Sequence, residues 1–95
     1  MKNGLITTQP DGSKFWNLNG RFHRTDGPAI EGADGTKGWW LNGQLHRTDG
    51  PAIEGADGTK EWYLNGLQRT LKQYMKALKM PEQDQVIFKL KWGGK

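Results

Sequence analysis

Along most of the chain the apolar residues fall in short alternating runs separated by turn residues, and the runs recur every 23 residues. Trp16, Trp39 and Trp62 are in step, as are Leu18, Leu41 and Leu64, and each Trp-x-Leu run leads into Asn-Gly at 19–20, 42–43 and 65–66. Alternation over a few residues predicts a strand with one buried face. Asn-Gly between two such runs predicts a tight hairpin, because both central residues of a type I′ turn need positive φ. Ala33-Asp34-Gly35 and Ala56-Asp57-Gly58 predict a second turn in each unit. Thr-Asp-Gly-Pro at 25–28 and 48–51 predicts a bend, since proline donates no ladder hydrogen bond.

The copies are closely matched: residues 23–37 and 46–60 are the same fifteen letters, HRTDGPAIEGADGTK. Three units, at about 3–25, 26–48 and 49–69, therefore cover residues 3–69 of a single domain spanning 1–95. Strand alternation places the three Trp-x-Leu pairs on one face, which makes Trp16, Trp39 and Trp62 the expected core. The position between them varies, Asn17, Trp40 and Tyr63, and marks a face whose residues packing does not dictate.

After Asn65-Gly66 the pattern changes. Leu71, Tyr74, Met75 and Leu78 share one helical face and Lys72, Lys76 and Lys79 another, predicting a helix over 70–80 with Thr70 as N-cap and Pro81 as its stop. Val86, Phe88, Leu90 and Trp92 then alternate with Ile87, Lys89 and Lys91, predicting a final strand over 86–92. The expected fold is mainly β: a three-repeat antiparallel β-hairpin meander sheet, capped by one C-terminal helix and a strand.

Composition narrows what such a sheet can do. Apolar residues are 34% of the chain and glycine supplies 14 positions, so the core must rest on a few large side chains, above all the five tryptophans. With no cysteine, disulfides and thiolate metal sites are excluded, and the pattern fits a reducing cytosol. The N-terminus has no apolar signal region and no run nears the ~20 residues that span a bilayer, so the expectation is a soluble cytoplasmic protein with no membrane partner. Charge is uneven: residues 1–67 carry seven Lys and Arg against eight Asp and Glu, whereas residues 68–95 carry seven against two. A basic tail on a near-neutral sheet favours an acidic partner, whether nucleic acid or protein.

His23 with Asp26 and His46 with Asp49 are the most enzyme-like features, each a potential general base with a carboxylate three residues on. A catalytic group is normally used once, however, and here the whole cassette is copied together with its turn residues. The expectation is structural: His, Arg and Asp hold the Gly-Pro bend through side-chain to backbone bonds. No short-spaced metal-ligand set and no phosphate-cradling glycine loop is present in the sequence, so no catalytic residue, metal or cofactor is assigned.

The pattern W-x-L-N-G-x-x-H-R-x-D-G-P-A, at a spacing of 23 residues, resembles a variant of the MORN repeat found in small bacteriophage and bacterial proteins. The resemblance covers about two-thirds of the chain. It implies hairpins strung into one elongated twisted sheet, and a non-enzymatic protein-binding module of the phage accessory type that binds and inhibits a host macromolecule, such as a CRISPR inhibitor acting on a host protein or ribonucleoprotein in the host cytoplasm. The contact residues expected are Trp40 and Tyr63 on the variable face, Arg24 and Arg47, and the lysines Lys72, Lys76, Lys79, Lys89 and Lys91. The alternative is a single-stranded nucleic-acid-binding protein that stacks bases on Trp and Tyr beside Arg and the basic tail. Self-pairing of the chain into a homodimer through the open sheet edge is also expected of an unprotected repeat array.

Overall fold

The Asn-Gly turns set the architecture. In the computed structural model, which describes residues 4–93, Asn19, Asn42 and Asn65 have φ of 51–53° and the glycines after them 79–82°, the conformation that closes a two-residue hairpin. The outer limits of the expected domain, at 1 and 95, and of the repeat array, at 3, lie outside the described residues.

Ten short strands result: β1 (Leu5–Thr8), β2 (Lys14–Leu18), β3 (Arg21–Phe22), β4 (Ile30–Glu31), β5 (Lys37–Gly38), β6 (Trp40–Leu41), β7 (Gln44–Leu45), β8 (Ile53–Glu54), β9 (Lys60–Leu64) and β10 (Leu67–Arg69). They pair antiparallel in the order β1-β2-β4-β5-β8-β9-β10, with β3 paired to β2, and β6 and β7 form a separate hairpin. The fold is mainly β with helix at its C-terminal end, as the alternation predicts.

The first two units make the same joints to the units that follow them. Trp16 N–H donates to Ala29 O (2.8 Å) and Trp39 N–H to Ala52 O (2.7 Å), while the two tryptophan carbonyls accept from His23 and His46 N–H, both at 3.0 Å. The hairpin tips are tied as well, Gly43 N–H to Phe22 O (2.9 Å) and Gly66 N–H to Leu45 O (2.8 Å). At the other turns Asp11, Asp34 and Asp57 accept from the N–H two residues on, at 2.9–3.0 Å. The hydroxyls of Ser13 and Thr36 there accept from Ala33 and Ala56 in the following unit.

Past β10 the chain turns helical. Helix α1 (Leu71–Ala77) starts in a capping box, Thr70 Oγ1 accepting from Gln73 N–H and Gln73 Oε1 accepting from Thr70 N–H. It stops with Lys79 in the left-handed region (φ 56°), Lys79 N–H bonding Lys76 O and Met80 N–H bonding Met75 O, before Pro81 is reached.

The expected strand over 86–92 is a helix instead: α2 (Glu82–Phe88) runs directly into a π-helical turn at Lys89–Gly93. Alternation would have buried Val86, Phe88, Leu90 and Trp92 together. Only Phe88 and Trp92, four apart, turn inward onto Trp62 (centroids 5.6 and 6.3 Å away), while Val86 is 56% and Leu90 82% exposed. Pro81 at the N-cap and the acidic Glu82 and Asp84 in the first turn favour a helix start there, through fixed φ and the helix dipole. The core sits at this junction: Trp62, Leu64 and Tyr74, with Leu71, Leu78, Phe88 and Trp92 packed against them. Trp16 and Trp62 are buried as expected of core residues; Trp39 is half-buried.

Candidate functional site

Strand register sorts the residues onto two faces. On one, Lys14, Glu31, Lys37, Glu54 and Lys60 stand opposite one another across β2, β4, β5, β8 and β9, a ladder of alternating charge. Trp16, Trp39 and Trp62 share this face with Leu18, Leu41 and Leu64, alike in all three units, although Arg21, Gln44 and Leu67 opposite the leucines differ. Each of the first two tryptophans lies under an arginine. The Arg24 guanidinium stands 3.9 Å from the Trp16 ring centre and that of Arg47 3.7 Å from Trp39.

Each arginine is the hub of the bend that follows it. Arg24 Nε donates to Asp26 (2.8 Å), and Nη1 to Pro28 O and to Glu31, both at 3.1 Å. Arg47 repeats the set with Asp49 (2.8 Å), Pro51 O (3.0 Å) and Glu54 (2.7 Å). Their side chains are 19% and 13% exposed. A Cβ at Gly27 or Gly50 would stand 2.9 or 2.8 Å from the guanidinium carbon, so glycine before the proline is what lets the arginine lie flat. The bend is thus held by arginine, where the sequence pattern gave histidine a share.

Histidine ties one unit to the next. Asn42 N–H donates to His23 Nδ1 (3.0 Å), and Asn65 N–H to His46 Nδ1 (2.9 Å), nineteen residues along. An accepting Nδ1 carries no proton, which places the ring hydrogen on Nε2. The nitrogen a general base would use is thereby engaged with the next turn, and in both copies the carboxylate, Asp26 or Asp49, bonds the arginine. A groove of about 610 Å³ between the two Arg-Thr-Asp segments is lined by Trp39, Leu41 and His46. Among the described residues no group of three or more His, Asp or Glu side chains is placed to hold a metal ion.

In the third unit Thr70 stands where the arginine would be, and α1 covers the tryptophan instead. The Tyr74 ring lies 4.8 Å from Trp62, and its hydroxyl reaches the second unit's bend, within hydrogen-bond distance of Arg47 O, Gly50 O (2.9 Å) and Gly50 N–H (3.4 Å). Burial pushes the Tyr74 phenol up to about 12. No sequence periodicity singled out this hydroxyl; the signal available was a tyrosine on the apolar face of the helix, where a buried hydroxyl needs a partner.

The opposite face differs from unit to unit. Phe15, Asn17 and Phe22 represent the first unit, Gly38, Trp40 and Leu45 the second, and Glu61, Tyr63 and Gln68 the third, with Ile30 and Ile53 between. Phe15, Phe22 and Trp40 form a chain of tilted rings at 6.0 and 5.5 Å, and these three, with Ile30, Leu45, Ile53 and Tyr63, are half-buried. Tyr63 donates to Glu61 at 3.4 Å, and burial followed by the Glu61 charge holds its phenol above the ordinary value of 10.0. Glu61 is the one charged side chain at the strand positions of this face.

The expected contact residues therefore separate. Trp40 and Tyr63 lie on the variable face. Arg24 and Arg47 lie on the constant face, engaged with the bends that follow them. Lys72 and Lys76 are exposed on α1 and Lys79 just past its end, and Lys89 and Lys91 are exposed on the π turn; these helical segments pack on the constant face, against Trp62. No described helix is long and apolar enough to cross a membrane. The chain matches no family model, no curated protein and no solved structure.

Proposed function

We propose that the protein is a non-enzymatic protein-binding module whose contact surface is the variable face, centred on Trp40 and Tyr63. One observation carries this: a strip of aromatic and aliphatic side chains runs across the sheet with a single charge among its strand positions, the negative Glu61. The centre of a protein interface has this composition, rich in aromatics and poor in charge. A surface for single-stranded nucleic acid needs cations beside its stacking rings, and Lys14, Lys37, Lys60, Arg24 and Arg47 lie on the other face, as do the lysine-bearing helical segments.

The resemblance of the repeat to MORN-like units in small phage proteins supports a partner in a host cell, a protein or ribonucleoprotein that is blocked by occupancy. The rigidity of a hydrogen-bonded repeat sheet suits such a role, because a preformed surface loses little entropy on docking.

Affinity capture from cell extract, with nuclease present, tests the reading. The wild-type chain retains a stoichiometric protein partner, and Trp40→Ala with Tyr63→Ala loses it while remaining folded, with the wild-type circular dichroism spectrum and a cooperative melt at the assay temperature or above. Capture that survives the double substitution, or that disappears with nuclease alone, contradicts the proposal.

A further inference from the structure

Helix α2 and the π turn carry a second apolar surface, separate from the sheet. Val86, Ile87 and Leu90 are 56%, 65% and 82% exposed and form one outward stripe, since Phe88 and Trp92 take the inward side against Trp62. Three large apolar side chains grouped in this way on a small domain mark an interaction surface.

The charges beside the stripe say what covers it. Glu82 and Lys89 flank it next to Val86, seven residues and so two α-helical turns apart; on the Ile87 side the flank is Asp84 in α2 and Lys91, seven residues on in the wider π turn. Each flank thus has an acid at its N-terminal end and a lysine at its C-terminal end. All four side chains are exposed, and none is in an ion pair among the described residues; the Lys91 ammonium lies 5.3 Å from the ring of Trp92. A second copy laid antiparallel brings Val86 against Ile87 at the centre. It then sets Glu82 against the other copy's Lys89 on one side and Asp84 against Lys91 on the other. A parallel copy would set like charges together.

We infer that this chain pairs with a second copy of itself through α2 and the π turn, antiparallel about a two-fold axis near Val86 and Ile87. The interface is small, so the pair is weak and in equilibrium with monomer, and the flanking charges set its orientation more than its strength. Two-fold pairing leaves both sheets free and gives the assembly two variable faces, which adds avidity toward a repeated target.

Sedimentation analysis of the full chain over a concentration series is the test. The weight-average mass of the wild type rises from 10.7 kDa toward twice that value. Lys89→Glu with Lys91→Glu stays monomeric, as does Glu82→Lys with Asp84→Lys, and an equimolar mixture of the two variants forms a heterodimer. Ile87→Glu is monomeric while keeping the wild-type circular dichroism spectrum. The inference is overturned if the wild type stays monomeric throughout, if dimers persist in the charge-reversed variants, or if mixing restores nothing. Loss of dimer on Thr7→Pro in β1, with the helix variants still dimeric, assigns pairing to the sheet edge and also overturns it. Since Trp40 and Tyr63 are untouched, partner capture reads out independently of this result.

Discussion

Trp39 and Trp40 are neighbours in the chain, and they belong to surfaces that behave differently. Trp39 lies on the face where each unit repeats the last, under Arg47 and beside the charge ladder. Trp40 lies on the face where the units differ, its indole over Gly38 and its ring against Phe22. Copying follows the contacts that join units. Arginine fixes the bend, histidine reaches the next Asn-Gly turn, and Ser13 or Thr36 reaches the next loop. A change in any of these is felt in the neighbouring unit. At the variable positions the contacts between units are backbone bonds, Arg24 N–H to Trp40 O and Arg47 N–H to Tyr63 O, and the apolar Phe22–Trp40 contact. None of these fixes a side chain's identity as a hydrogen bond does, so these positions are freer to differ and a binding surface can be written there.

Substitutions sharpen the contrast. The largest loss is expected for Trp62→Ala, which empties the centre of the helix and sheet core; about 3–5 kcal/mol of unfolding free energy should disappear in urea denaturation. Arg47→Ala comes next, about 2–3 kcal/mol, because Asp49, Pro51 O and Glu54 lose their donor and Trp39 its cover. Tyr74→Phe, at about 1–2 kcal/mol near neutral pH, removes the hydroxyl that latches α1 to the second bend.

Tyr74 also sets the alkaline limit. Its folded pKa is raised, so the stability it contributes is complete below the ordinary value of 10.0 and is lost as pH climbs through about 12. The difference in stability between wild type and Tyr74→Phe should shrink over that window. The smallest effect lies at acid pH. The Ser13 N–H holds Asp11 below the usual carboxylate value of 3.8, the Thr36 N–H does so for Asp34, and the Thr59 hydroxyl and N–H for Asp57. Depressed values contribute stability above 3.8 that fades as pH falls through the folded pKa. These exposed turns should give a shallow acid slope, and Asp34→Asn with Asp57→Asn should flatten it.

Much of the sheet was legible because a repeat states its own register. Asn-Gly fixed the hairpins and Trp-x-Leu the faces; the period then aligned every strand with its equivalents. The C-terminal segment was misleading for a definite reason. Phe88 and Trp92, four apart, lie on one side of a strand and of a helix alike, so the residues that face the core fit both readings. Val86 and Leu90 distinguish them only by being exposed, which no single sequence reveals. The cassette was half legible: duplication pointed to structure, yet the division of labour between Arg24, which holds its own bend, and His23, which reaches nineteen residues forward, depends on tertiary geometry. Trp40 and Tyr63 were legible as variable positions between constant ones, whereas the near absence of charge around them appears only once β4 and β8 are set between the hairpins.

The most direct test of the division between the faces is urea unfolding of Trp39→Ala beside Trp40→Ala, measured under the same conditions. Trp39→Ala should lower the unfolding free energy by about 3 kcal/mol, through lost burial and the uncovered Arg47, and Trp40→Ala by about 1 kcal/mol. Equal losses, or a larger loss for Trp40→Ala, would contradict the assignment of stability to the constant face and of binding to the variable one.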